Sequence, residues 1–148
     1  MKLNTTKKLL PLLPKILGTV SLLLGIIVLI GWYTHNETLI QVNPHFVPMQ
    51  YNTALGFALS GLAILLWPFK RLSGLFSFAV LGIGLITLCE YIFKTDLGLD
   101  QLFMEHYIGV KTSHPGRMAP NTALCFSLSG LAFLLFSFSL QLSILLQP

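Results

Sequence analysis

Four stretches of this chain contain no Asp, Glu, Lys, Arg or His: residues 16–34, 46–69, 72–89 and 118–148. They are 19, 24, 18 and 31 residues long. An α-helix rising about 1.5 Å per residue needs roughly 20 apolar residues to cross about 30 Å of hydrocarbon. Each stretch meets that length, and the last leaves an end at the interface or in water. Backbone groups in lipid must bond to one another, and continuous apolarity without alternation indicates helices rather than barrel strands. Four transmembrane helices are predicted. Only 9% of the residues are charged, against about 25% in ordinary soluble domains, which excludes a water-soluble globule.

The charges also give a topology. Lys2, Lys7, Lys8, Lys15, Lys70 and Arg71 precede the first stretch or fall between the second and third, while Lys94, Lys111 and Arg117 lie on the opposite side. The positive-inside rule then puts both termini in the cytoplasm. All five acids (Glu37, Glu90, Asp96, Asp100, Glu105) fall on the outer side or at its edge. The net charge of +4 is accounted for by topology, and no nucleic-acid partner is implied. The first stretch is longer than the usual 7–15-residue core of a cleaved signal peptide. Gly31-Trp32-Tyr33-Thr34 offers no small-x-small cleavage pattern, so an uncleaved signal anchor is expected. Trp32, Tyr33, Tyr51, Trp67 and Tyr91 fall near the span ends, where amphipathic rings prefer the headgroup region.

The chain repeats itself. Residues 45–66 read HFVPMQYNTALGFALSGLAILL and residues 114–135 read HPGRMAPNTALCFSLSGLAFLL, identical at 14 of 22 positions with a constant offset of 69. Shared hydrophobicity does not explain shared His, Met, Asn, Thr and Ser-Gly in one register. The reading is an internal duplication within one membrane domain, residues 1–148, with repeat one at about 16–69 and repeat two at about 72–145. Each repeat is a helical hairpin, and the two are parallel about an axis near the membrane normal. The second outer loop, about 91–117, is longer than the first, about 35–50. In it Leu99, Leu102, Phe103, His106, Tyr107 and Val110 follow helical spacing. A short amphipathic helix on the outer interface is predicted, capped by Asp96 and ending near Gly109. The expected fold is all-α: an integral membrane four-helix bundle of two parallel-repeated hairpins, plus that short helix.

Asn52-Thr53 and Asn121-Thr122 stand where the second helix of each hairpin begins, and Asn is a favoured N-cap. Two capped helices account for the pattern. Alternatively, two helix N-termini converge beneath the outer loops and orient an anionic or carbonyl-bearing ligand. Ala54, Ala58 and Gly61 form a small-residue stripe, with Ala123, Ser127 and Gly130 as partners on the last helix; such stripes let helices approach closely in lipid. The two stripes are expected to pack the hairpins together, with Ser60 and Ser129 bonding across the contact.

All four histidines (His35, His45, His106, His114) fall on the outer side. Imidazole suits metals or haem, yet the spacing matches no compact ligand motif, and solvated or capping roles are expected, with no metal. Glu90 adjoins a hydrophobic run, and reads either as an interfacial anchor or as a ligand or proton group; Lys94, four residues on, is placed to pair with it. Cys89 and Cys125, at similar depth in neighbouring spans, read either as a disulfide in an oxidising periplasm or as free thiols in close helix contacts, the reading favoured because Cys125 aligns with Gly56 and an offset of 58 aligns Cys89 with Gly31. The candidate ligand-binding set is Asn52, Thr53, Asn121, Thr122, His45, His114, Glu90, Asp100 and His106. No catalytic constellation is present in this reading, and no cofactor is specified.

The duplicated Met-x-x-Asn-Thr-Ala-Leu-x-Phe-x-Leu-x-Gly-Leu-Ala-x-Leu-Leu pattern resembles the N-terminal membrane modules of many bacterial sensor histidine kinases and diguanylate cyclases. Gly98-Leu99-Asp100-Gln101-Leu102 and Gly116-Arg117-Met118-Ala119-Pro120-Asn121 are similar to that family too, and the likeness covers about residues 16–145. It implies a non-enzymatic sensory input module in the bacterial inner membrane, acting as a receptor fragment or as a stand-alone relative. The sequence holds no phospho-accepting His region, ATP-binding Gly loop or cyclase motif. Implied partners are the bilayer, and a cytoplasmic signalling protein or other membrane subunits, with a homo-oligomer among the arrangements. Two further readings are a structural accessory subunit of a respiratory or photosynthetic complex, and an outer-side metal or haem protein using the loop histidines.

Overall fold

The computed structural model describes residues 12–41, 43, 46–108 and 114–145, with side chains as far as residue 138. His45, Gly109 and Val110 lie outside the described residues. The regular secondary structure of the described residues is all helical: α1 (Leu12–Thr34), α2 (Glu37–Ile40), α3 (Tyr51–Leu65), α4 (Lys70–Phe93) and α5 (Pro120–Leu145). Three of these, α1, α4 and α5, are long and apolar enough to cross a membrane. α3 is the exception. Its 15 residues span only about 22 Å at 1.5 Å per residue.

The reason lies in its flanks. Residues preceding a proline are pushed out of the helical region, and Pro48 and Pro68 bracket the helix, with a turn over 66–69 leading directly into α4. α3 is also the helix most enclosed by protein: Asn52, Thr53, Ala54, Gly56, Ala58, Ser60, Gly61 and Ala63 are all buried. α1 packs on α3, α3 on α4, and α4 on α5, with a slighter contact between α3 and α5. Among the described residues α1 does not reach α4 or α5.

The small-residue stripes seal each hairpin and do not pair with each other, which corrects the expected arrangement. A Cβ on Gly25 of α1 would meet the Ala54 carbonyl oxygen and the Ala58 nitrogen at 2.6 Å. A Cβ on Gly84 of α4 would meet the Ala123 carbonyl oxygen and the Ser127 nitrogen at 2.7 Å. A Cβ on Gly61 would meet the Leu22 nitrogen at 2.5 Å, and one on Gly130 the Leu81 nitrogen at 2.6 Å. Each close approach recurs at an offset of 59 in the first helix and 69 in the second. Small residues were needed on both helices, and the glycines of α1 and α4 supply the second half. Between the hairpins α3 packs on α4, and where α3 meets α5 the contact is aromatic: Phe126 meets Phe57 edge-on at 5.4 Å, over Gly56. The serines do not bridge it. Ser129 bonds back to Cys125 and Phe126, and Ser60 Oγ is buried without a partner.

α1 and α4 also end alike. His35 and Lys94 take left-handed backbone angles, φ 54° and 52°. The following amides, Asn36 and Thr95, donate back to the Gly31 and Glu90 carbonyls at 2.9 and 3.2 Å, a six-to-one closure of the last turn. Gly31 therefore corresponds to Glu90 and not to Cys89. Trp32 Nε1 donates to the Met49 carbonyl at 2.9 Å, and Tyr91, at its corresponding place, donates to the Met118 carbonyl at 3.1 Å. Both cysteines are free and exposed.

Candidate functional site

We call the end bearing the two long connections the loop end. Its core is an ionic cluster. Glu90, fully buried in the last turn of α4, accepts from the Leu97 amide through Oε1 at 3.1 Å. Its Oε2 lies 3.5 Å from Arg117 Nε, a charge pair without hydrogen-bond geometry. Arg117 Nε gives its hydrogen bond to Asp100 Oδ2 at 2.5 Å. Its outer nitrogen reaches the Thr95 carbonyl at 3.4 Å and exposed Asp96 at 3.6 Å. Burial works against the Arg117 charge, but the Asp100 bond and the surrounding carboxylates outweigh it and hold the guanidinium above its ordinary pKa. Arg117 is a fixed cation.

Glycines make this approach feasible. Gly116 has φ 79°, and a Cβ there would meet the Asp100 carbonyl oxygen at 2.7 Å. Gly98 has φ 69° and donates to Asp96 Oδ1 at 2.9 Å. Asp96 thus closes a local turn and caps no helix. The amphipathic helix is not formed: the described residues 95–108 contain one turn, Leu102 to Leu99, and otherwise irregular chain. Competing local bonds explain this, since Gln101 Oε1 takes the His106 amide at 3.1 Å. The segment instead drapes onto the helices. Ile108 is buried against Trp32, Tyr51 and Ala54, Tyr107 hydroxyl donates to the Trp32 carbonyl at 3.3 Å, and Phe103 stacks on Tyr51. Burial, with Glu37 nearby, pushes the Tyr107 hydroxyl above its usual pKa.

The duplicated asparagines diverge. Neither is an N-cap; Gln50 holds that place on α3 without a side-chain bond, and α5 opens on Pro120, a residue suited to the first helical position. Asn52 sits one position inside α3, and its Nδ2 donates to the Asp100 carbonyl at 3.3 Å and more weakly to that of Leu99. It clips the second loop to the first hairpin. Asn121 is exposed and accepts from the Thr122 amide at 3.0 Å. Asn52, Glu90 and Asp100 are therefore brought together, while Asn121 stands apart.

The described histidines face different rings. His35 lies on Tyr107 at 4.5 Å, His106 against Trp32 at 5.6 Å and His114 against Tyr91 at 6.2 Å. Among the described residues the metal-capable group is Glu90, Asp96 and Asp100, with oxygens within 4.8 Å of one another. Arg117 is ion-paired to all three, so a cation is already present. Glu90 pairs with this arginine, and Lys94, whose backbone turns left-handed at the helix end, is not among its ion partners.

Between the N-termini of α3 and α5 lies an open cleft of about 530 Å³. One wall includes Gln41, Gln50 just before α3 and Thr53 in its first turn; the other includes Tyr91, His114 and Thr122. Of the expected site residues, Thr53, Thr122 and His114 share this cleft, while Asn52, Glu90 and Asp100 line a smaller hollow of about 150 Å³. Sequence reasoning missed Arg117, Gln41 and Gln50 as site residues. Arg117 was flagged only by glycine beside it, and Gln50 by its departure from Ala119 in the aligned repeat. The chain matches no family model, no curated protein and no solved structure.

Proposed function

We propose that this chain is a non-enzymatic sensory input module of a bacterial inner membrane, built as a four-helix bundle of two parallel-repeated hairpins with both termini cytoplasmic. Its ligand occupies the cleft at the loop end, which faces outward. One observation carries this reading: the cleft is walled by both hairpins, Gln41, Gln50 and Thr53 from the first and Tyr91, His114 and Thr122 from the second. An occupant that touches both walls favours one spacing of the hairpins over another, and a ligand shifts an equilibrium by its differential affinity for the two states. The packing of α3 on α4 and α5 is lighter than the packing inside each hairpin, so the hairpins are the units that move. The ionic cluster around Arg117 is the rigid brace that keeps the second loop over the helices.

The recurring close approaches at Gly25 and Gly84, and the paired Trp32 and Tyr91 bonds, support treating the two hairpins as duplicated units. Signals reach the cytoplasm as a change in the distance between the N-terminal part of α1 and the C-terminal part of α5. The test is to join the chain to a histidine-kinase transmitter and replace Thr53 and Thr122 together by valine. Output is expected to change at equal expression and equal thermal stability. Unaltered output from a well-folded double variant would remove the cleft from the mechanism.

A further inference from the structure

The cleft does not stop at the loop end. A second hollow of about 440 Å³ continues it between Ser21 of α1, Phe57 and Ser60 of α3, and Cys125 and Phe133 of α5, meeting the cleft at Thr122. A third, of about 670 Å³, joins the second at Ile64 and Phe133 and runs on to Trp67 and Phe136. Together they make one groove, with α3 as floor and the non-touching helices α1 and α5 as banks.

We propose that this groove holds one phospholipid with a primary-ammonium, phosphate-bearing headgroup, seated in the cleft with a chain lying along α3. The inference rests on the cleft being the ligand site, and it makes no use of signalling output. Gln41 and Gln50 are 8% and 5% exposed, and the Oε1 of each is buried without a hydrogen-bond partner. Leaving such acceptors unpaired forfeits the hydrogen bonds that water would have supplied. The terminal amide torsion is soft, so a donor entering the cleft can draw both oxygens toward it. Beside them, α3 begins without a side-chain cap, and its first-turn N–H groups before Ala54, which bonds to the Gln50 carbonyl, offer an anion site. Free acceptors next to free donors call for a headgroup carrying both N–H donors and anionic oxygens.

The length agrees. From Thr53 to Ile64 is eleven residues, about 16 Å at 1.5 Å per residue, and half of the hydrocarbon core is about 15 Å. A chain from one leaflet reaches from the cleft to the point where the second and third hollows meet. A choline head has no N–H to give, and a glycerol head lacks the cation.

Native mass spectrometry of the full chain, released from vesicles holding equal phosphatidylethanolamine, phosphatidylcholine and phosphatidylglycerol with identical chains, tests this. One phosphatidylethanolamine is expected to stay bound, about tenfold or more over phosphatidylcholine, as two hydrogen bonds to a charged donor imply. Retention is expected to fall stepwise through the mono-, di- and trimethylated heads, a series that needs no variant. Replacing Gln41 and Gln50 together by leucine is expected to level the two lipids. Equal retention of methylated and unmethylated heads overturns the proposal, as does a preference for phosphatidylglycerol or a lipid-free dimer filling the groove. Because the readout is lipid mass on the isolated chain, its failure leaves the transmitter-fusion result standing by itself.

Discussion

A guanidinium with 3% of its side chain exposed survives in a protein interior only while its partners hold it, because taking a charge out of water costs several kcal/mol. Arg117 has such partners in Asp100 and Glu90, and its bond to the Thr95 carbonyl ties it to the end of α4. The same contact explains why Glu90 tolerates full burial, where a span-end carboxylate would ordinarily reach for water. Arg117→Ala is expected to destabilise the fold by roughly 3–5 kcal/mol, since it strands two buried carboxylates. Unfolding followed by circular dichroism in detergent checks this. Arg117→Ala combined with Glu90→Gln and Asp100→Asn is expected to recover part of the loss; no recovery would mean that Arg117 acts by packing on Tyr91 and not by charge. Glu90 was legible as a candidate because an acid beside an apolar run is rare, and Asp100 lies in the stretch 98–102 that resembles the sensor modules. Their arginine was not, because pairs separated by 27 and 17 residues leave no trace in periodicity.

At the scale of helices, the sequence announced its apolar runs and its small-residue stripes, and these became α1, α3, α4 and α5. What it did not announce was the partner of each stripe. Fourteen identities between the two 22-residue stretches suggest that like packs on like, yet an apolar stripe carries no label for its mate. The decisive residues, Gly25 and Gly84, sit in helices whose sequences have diverged. The loop helix failed for a related reason: Leu99, Leu102 and Phe103 keep helical spacing, but side-chain bonds from Asp96 and Gln101 win the backbone locally. Glycine substitutions test the packing assignment. Gly25→Ala and Gly84→Ala each force a Cβ within about 2.7 Å of partner backbone and are expected to cost roughly 1–3 kcal/mol, as overpacking does. Gly82→Ala meets nothing within 4 Å and is expected to be neutral or slightly stabilising, given alanine's helix propensity. Equal thermal shifts for all three would refute the assignment of faces.

For the whole molecule, the consequence is a body of two tightly sealed hairpins joined by a lighter seam. The seam has several parts: the packing of α3 on α4 with the turn over 66–69, the bond from Ser73 Oγ to the Ala63 carbonyl at 2.8 Å, the second loop held on the first hairpin by Asn52, Phe103, Tyr107 and Ile108, and Phe126 set over Gly56. Of these, Phe126 on Gly56 is the one that fixes how α3 meets α5, because a Cβ at residue 56 would stand 2.6 Å from the ring. A larger side chain there cannot be absorbed by either hairpin interface, since Gly25 and Gly61 hold the other face of α3 against α1. The strain must therefore open the seam. Gly56→Val is expected to leave helix content unchanged while widening the separation of α1 and α5. Spin labels at Leu24 and Leu128, both on exposed faces, report that separation by pulsed electron resonance. A distance distribution shifted outward with the hairpins intact supports hairpins that move as units; an unshifted distribution, or loss of helix throughout, shows that the four helices form one indivisible packing.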